Sequence, residues 1–217
     1  LFAQSPQVKE IYGKNGFDKS IITTTGNFYE EQFNDSIERS TDDRDLKCLY
    51  VGRLVEQKGV DLAIQAVETL SEQGHDISLT VVGDGPARKN LKDAVCTDAV
   101  SFEGYIPHEK VNTYYKQNDI LLYPSKWPEP FGNTVIEAMQ NRCIPIVTNT
   151  GGLPWVVGRC GYVVSPGDVS ELEEQLRKLL TNRVELSYRE QFCREELQRF
   201  APESVISKIE SEYERLI

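Results

Sequence analysis

Apolar positions along this chain fall into short continuous runs, separated by longer stretches in which they recur at helical spacing. Cys48–Gly52 reads CLYVG, Leu79–Val82 LTVV, Ile120–Tyr123 ILLY, Cys143–Thr148 CIPIVT and Gly161–Val164 GYVV, with Val100–Phe102 a shorter run. Such runs, bounded by turn residues, predict strands covered on both faces. Between them, Val60–Ser71 spaces Leu62, Ile64, Ala66, Val67 and Leu70 as a helix does. Pro86–Val95, His108–Gln117, the segment from Val135, and Val169–Leu180 also read as helices. Strand and helix alternate at least five times, which predicts an α/β chain with a parallel sheet.

The two ends read differently. Ser5-Pro6 looks like a cap and first helical residue, with Gly13 or Gly16 as the stop. Ile21–Thr25 is a short β-branched run closed by Gly26-Asn27, and residues 30–45 (EEQFNDSIERSTDDRD) are polar enough for a linker. Phe200–Ile217 opens on an Ala-Pro-Glu turn and continues as a helix. The expected division is a lead-in of helix, short strand and linker over 1–45, a main unit over 46–199, and a final helix over 200–217.

Charge and cysteine usage narrow the functional classes. A net charge of −10 in 217 residues argues against nucleic acid and anionic membranes as partners, and makes any anion site a local pocket. No apolar run is long enough to predict a transmembrane segment. No signal peptide is visible, but the chain starts at Leu1 rather than Met, which leaves an export signal open. Five cysteines, none in a C-x-x-C pair, read as buried reduced thiols in a cytoplasmic protein, and two histidines make a zinc site unexpected.

The richest chemistry lies in Ile120–Met139, ILLYPSKWPEPFGNTVIEAM. Pro124, Pro128 and Pro130 break regular structure after the strand. Gly132 lets backbone approach a ligand, and Asn133 or Thr134 can cap the helix that follows. A helix N-terminus attracts an anion such as a phosphate. Glu137 lies five residues past Gly132, about 7.5 Å along the axis. That is a plausible step from a diphosphate to a ribose, whose two hydroxyls a carboxylate can accept. Upstream, G-R-L-V-E-Q-K-G follows the strand CLYVG and offers Arg53 and Lys58 as an anion cradle.

With E-P-F-G-N-T-V-I-E and G-R-L-V-E-Q-K-G in place, the chain resembles the retaining glycosyltransferases of GT-B architecture, group 1 or family 4 type. The resemblance covers roughly residues 5–217. It implies the donor-binding half of that architecture: a Rossmann-like doubly wound parallel sheet with helices on both faces. It implies a nucleotide-diphosphate sugar as donor, no metal or other cofactor, and an acceptor-binding N-terminal domain that this sequence lacks. Arg53 and Lys58 would hold the diphosphate as it leaves, Glu129 the sugar hydroxyls and Glu137 the ribose. Gly52 and Gly83 would line the cleft, Tyr105 and Ile106 meet the base, and Pro130, Phe131, Gly132, Asn133 and Thr134 surround the diphosphate. The family's segment near residue 25 carries Asn-Gly where Thr25-Gly26 stands, and Trp155 stands where the family carries Glu. Any membrane association is left to the absent half.

Other motifs carry less. Asp43-Arg44-Asp45 matches a metal-binding D-x-D, but precedes a strand rather than ending one. Gly83-Asp84-Gly85 invites a dinucleotide reading, yet Arg88 replaces the third glycine. His108 reads as a solvated residue at a helix start. Two other functions stay open: a sugar-nucleotide epimerase of the same architecture, and a non-catalytic nucleotide-sugar-binding module.

Overall fold

The computed structural model describes residues 1–29 and 45–215. Most of the expected linker, with Asp43 and Arg44, lies outside the described residues. Asp45 accepts a hydrogen bond from the Ser78 hydroxyl at 3.1 Å.

The first unit is small. Strand β1 (Phe2–Ala3), helix α1 (Pro6–Lys14) and strand β2 (Thr23–Thr24) form a two-stranded parallel pair with a helical crossover. Ser5 caps α1 by accepting from the Val8 N–H, as Ser5-Pro6 predicts. The two-residue strand β1 carries no sequence signal.

The main sheet has six strands, all parallel, in the order β5-β4-β3-β6-β7-β8. These are β3 (Leu46–Val51), β4 (Ile77–Val82), β5 (Val100–Gly104), β6 (Ile120–Tyr123), β7 (Ile144–Thr148) and β8 (Tyr162–Val164). All four residues of β6 and all five of β7 are buried, because helices cover both faces of the central strands. Each fully buried Leu or Ile there contributes about 1.5–3 kcal/mol of burial free energy.

Helices α2 (Val60–Glu72), α3 (Arg88–Ala94), α4 (His108–Gln117), α5 (Asn133–Gln140), α6 (Leu153–Val157) and α7 (Val169–Thr181) connect or follow these strands. On one side α2 packs on β4 and α7; on the other, α5 packs on α4, α6 and helix α8 (Val184–Gln198). Helix α8 is absent from the pattern of the sequence, since charged residues interrupt every apolar stripe. It buries Leu186, Cys193 and, unusually, Glu196. The last helix, α9 (Pro202–Glu214), places the Tyr213 ring 6.3 Å from Phe2 in the lead-in unit.

Two expectations are corrected. Cys160 and Cys193 form a disulfide that ties the turn before β8 to α8, so not all five cysteines are reduced thiols. Their pairing joins positions 33 apart in sequence, which no local spacing reveals. Cys48 and Cys143 are free and buried, whereas the free Cys96 is exposed. The second correction concerns α5. Neither Asn133 nor Thr134 caps it; both lie in the first turn, and Gly132 takes the cap position at φ 114° with no side-chain oxygen on the helix N–H groups. A Cβ on Gly132 would sit 2.7 Å from the Leu153 side chain. The Val135 N–H turns back to the Gly132 carbonyl at 3.0 Å, which leaves the Asn133 and Thr134 N–H groups for other acceptors.

Candidate functional site at the carboxyl edge of the sheet

From β3 the chain moves outward to β4 on one side; from β6 it moves outward to β7 on the other. The strand order therefore reverses between β3 and β6, and the carboxyl ends of these two strands are where such sheets take ligands. Both motifs lie there.

After β3, the Gly52 N–H donates to the Val82 carbonyl at 3.0 Å, and the Gly83 N–H to the Gly104 carbonyl at 2.8 Å. These bonds carry the ladder one residue beyond the strands and bring Gly52 and Gly83 side by side. Arg53 follows, exposed, its carbonyl accepting from the Tyr50 hydroxyl at 3.2 Å. A single 3₁₀ turn, Glu56–Lys58, then turns back toward β6. The Gln57 carbonyl accepts from the N–H groups of Lys126 (2.8 Å) and Trp127 (3.2 Å). The loop after β3 and the loop after β6 are thereby joined through one backbone oxygen.

Lys58 and Glu129 meet directly. The ammonium lies 2.5 Å from Glu129 Oε1 and 3.2 Å from the Tyr123 hydroxyl. The Ser125 hydroxyl donates to the same Oε1 at 3.0 Å. Only 26% of the Lys58 side chain and 11% of the Glu129 side chain are accessible. Burial opposes the charge on Lys58, but Glu129 and Tyr123 outweigh it and hold the lysine above its usual pKa. Burial and then the Glu129 charge raise the Tyr123 phenol, so it stays protonated.

The turn after β7 supports this loop from behind. Gly152 donates to the Glu129 carbonyl at 2.7 Å, and a Cβ on Gly151 would lie 2.2 Å from that same oxygen. Pro130 is exposed, while the buried Phe131 ring packs edge-on against Trp155 (6.2 Å) and Phe200 (5.1 Å). The Arg199 guanidinium stacks over Trp155 at 4.9 Å. Trp155 is thus an aromatic anchor for the loop of Glu129, in a position where the resemblance leads one to expect a carboxylate. Asn133 accepts from the Asn27 side chain at 3.0 Å, and Thr134 lies within hydrogen-bonding reach of Tyr123.

Glu137 projects from the first half of α5 with 18% of its side chain accessible. The Tyr115 hydroxyl donates to Oε2 at 2.9 Å, and His108 Nε2 lies 3.2 Å from Oε1. Burial, then the Glu137 charge and hydrogen bond, hold the Tyr115 phenol well above its ordinary pKa. His108 begins α4 as expected, but it also touches this carboxylate. Tyr105 is 74% exposed, and Ile106 packs partly into the core.

The structure therefore gathers Arg53, Lys58, Glu129, the start of α5 and Glu137 along one edge, flanked by the glycine turns and Tyr105. It adds Tyr115 and His108 from α4, and it gives Tyr123 and Ser125 partners at the site. Tyr123 and Ser125 lie inside the central stretch itself. Tyr115 and His108 carry no local signal, because their partner is 22 and 29 residues away.

A family model described as glycosyl transferases group 1 matches residues 31–197. A 2-deoxystreptamine glucosyltransferase of Streptomyces kanamyceticus is 34% identical over 137 residues, 60% of this chain and 35% of its own length. A glycogen synthase of Mycobacterium tuberculosis is 31% identical over 157 residues, 70% of this chain and 38% of its own. The chain spans about a third of the length of such curated relatives. Among solved structures, a lipopolysaccharide outer core galactosyltransferase in its apo form aligns over 100% of this chain and 62% of its own, with a TM-score of 0.84 and 20% identity. The Anabaena protein HepE, solved with UDP and glucose, aligns over 99% of this chain and 62% of its own, with a TM-score of 0.80 and 19% identity. These two likenesses bear on the fold, that of the GT-B glycosyltransferases.

Proposed function

Because the chain belongs to the group 1 glycosyl transferases, we propose that it is the donor-binding part of a retaining enzyme. It would take a nucleotide-diphosphate sugar and require no metal. What supports this reading is the carboxyl edge between β3 and β6, where the Lys58–Glu129 pair joins the loops that carry Arg53 and the start of α5.

Arg53 offers a planar fork and Lys58 a point charge to the diphosphate, with the first N–H groups of α5 beside Gly132, Asn133 and Thr134. These groups stabilise the negative charge that grows on the leaving diphosphate as the sugar departs. Glu129 accepts from sugar hydroxyls. Glu137 accepts from the ribose diol: Tyr115 and His108 occupy one position on each oxygen, and a carboxylate has about four. Tyr105 and Ile106, which follow β5, would meet the base. The acceptor would bind to a part of the protein outside this chain.

Thermal melts of the chain with UDP, GDP and ADP, each free and as its glucose conjugate, test the reading. One nucleotide series should raise the melting temperature, and Arg53→Gln should abolish that rise. Absence of any shift with all six ligands at millimolar concentration would count against nucleotide-sugar binding.

A further inference from the structure

Lys58 and Glu129 are assigned above to different parts of one ligand, yet here they hold each other. Glu129 Oε1 receives the Lys58 ammonium and the Ser125 hydroxyl, and the carboxylate is nearly closed off from water. If Lys58 turns to a diphosphate, Glu129 keeps Ser125 alone as a hydrogen-bond partner among the contacts at that oxygen. A buried carboxylate stripped of its cation is strongly disfavoured unless new donors arrive. Sugar hydroxyls are such donors, and a bare nucleoside diphosphate has none to offer.

We propose that the Lys58–Glu129 pair makes the site discriminate between the sugar-bearing donor and its spent nucleoside diphosphate, a role that rests on the donor-binding reading above. With the full donor, Lys58 moves to phosphate and the sugar replaces it on Glu129, so both charges stay paired. With the bare diphosphate, either Lys58 stays on Glu129 and the phosphate lacks one cation, or Lys58 leaves and Glu129 is stranded. Either way the product is held less tightly than its phosphate contacts alone would allow. Glu129 therefore works against product retention as well as for sugar binding, which matters in enzymes where release limits turnover. The raised Lys58 pKa keeps its ammonium charged, and so able to pair, throughout the neutral range.

The test is calorimetric titration of the whole chain with whichever of UDP, GDP and ADP it binds, and with the corresponding glucose conjugate. Glu129→Gln keeps the shape of the side chain but releases Lys58. It should tighten the bare nucleotide by about ten-fold and weaken the sugar conjugate by a similar factor. Simple repulsion between Glu129 and the diphosphate could also yield tightening, so the same substitution is repeated in a Lys58→Met background. There the tightening should largely vanish; if it persists in full, repulsion explains it and the pair has no such role. An unchanged or weakened bare nucleotide in Glu129→Gln likewise overturns the proposal while leaving donor binding intact. If no nucleotide or conjugate binds the wild-type chain, the donor-binding reading falls and this role falls with it. Should Glu129→Gln fail to give a cooperative melt, Glu129→Asp withdraws the carboxylate by one methylene, and the same tightening is expected.

Discussion

At the scale of the residue, Glu137 is the group whose surroundings say most. Its two oxygens are oriented by Tyr115 and His108, which arrive from α4. A hydrogen bond from a neutral hydroxyl to a charged acceptor is worth about 1.5–3 kcal/mol. Glu137→Ala should therefore weaken bare nucleotide and sugar conjugate alike, by about 10- to 150-fold in calorimetric titration. Tyr115→Phe leaves the carboxylate with His108 and should cost both ligands only about 2- to 10-fold. A selective loss of the sugar conjugate in either variant would move Glu137 away from the ribose. The tyrosines yield a second expectation. Tyr50 and Tyr123 are raised by burial, and Tyr162 is pushed up to about 12 by burial against an opposing Arg189. Their folded pKa values exceed the ordinary value of 10.0, so the folded state retains protons that the unfolded chain gives up. Their contribution is complete below that pH and is lost as pH rises through the folded values. Melting temperature should hold up to about pH 9 and fall beyond about pH 10. A melting temperature that stays constant to about pH 11 would contradict these shifts.

At the scale of the element, the sequence conveys the strands well and the tertiary ties poorly. Every strand of the main sheet coincides with an apolar run, since a strand buried on both faces writes its burial directly into its composition. Helix α8 was not legible, because it presents Leu186, Cys193 and Glu196 inward among many charges. Glu196 is buried because it is paired: it accepts from the distant Arg159 N–H at 3.1 Å and from its near neighbour Arg199 at 2.5 Å. The motifs marked Arg53, Lys58, Glu129 and Glu137, but not that Lys58 reaches across 71 residues to Glu129. Such contacts belong to the fold, and local pattern cannot hold them. The Cys160–Cys193 bridge is of the same kind, and it closes a loop with a sequence separation of 33. In the chain-entropy account such a loop contributes about 3–4 kcal/mol. Reduction, or paired Cys160→Ala and Cys193→Ala substitutions, should lower the melting temperature by about 10 °C. Equal melts with and without reductant would show that the bridge adds nothing. Nucleotide affinity should change little, since the bridge joins the turn before β8 to α8 and not the loops after β3 and β6.

At the scale of the whole molecule, two units of unequal size stand beside each other. The main sheet has its own core, whereas the β1–α1–β2 unit pairs two residues with two and leaves Leu1, Ile11, Phe17 and Ile21 largely exposed. So short a sheet is marginal by itself. No helix among the described residues is long and apolar enough to cross a membrane. The chain alone should bind its nucleotide and transfer no sugar; coupled assays with the sugar conjugate and simple glycoside acceptors would reveal turnover if this is wrong. Binding should also survive chelation. If EDTA abolished the titration and Mg²⁺ or Mn²⁺ restored it, the assignment of Arg53 and Lys58 to the diphosphate would have to be given up.

One small feature reaches further than its size suggests. The loop after β3 and the loop after β6 are fastened together by the Gln57 carbonyl, while Gln57 itself is exposed to solvent. The task at this position falls to the peptide and not to the amino acid. Among relatives, position 57 should drift freely in identity and so look unimportant to any ranking by similarity. Yet a deletion or insertion of a single residue there would pull the two loops out of step. Chemical identity and geometric necessity part company at this residue, and a scan of substitutions would find tolerance where a scan of chain length would find none.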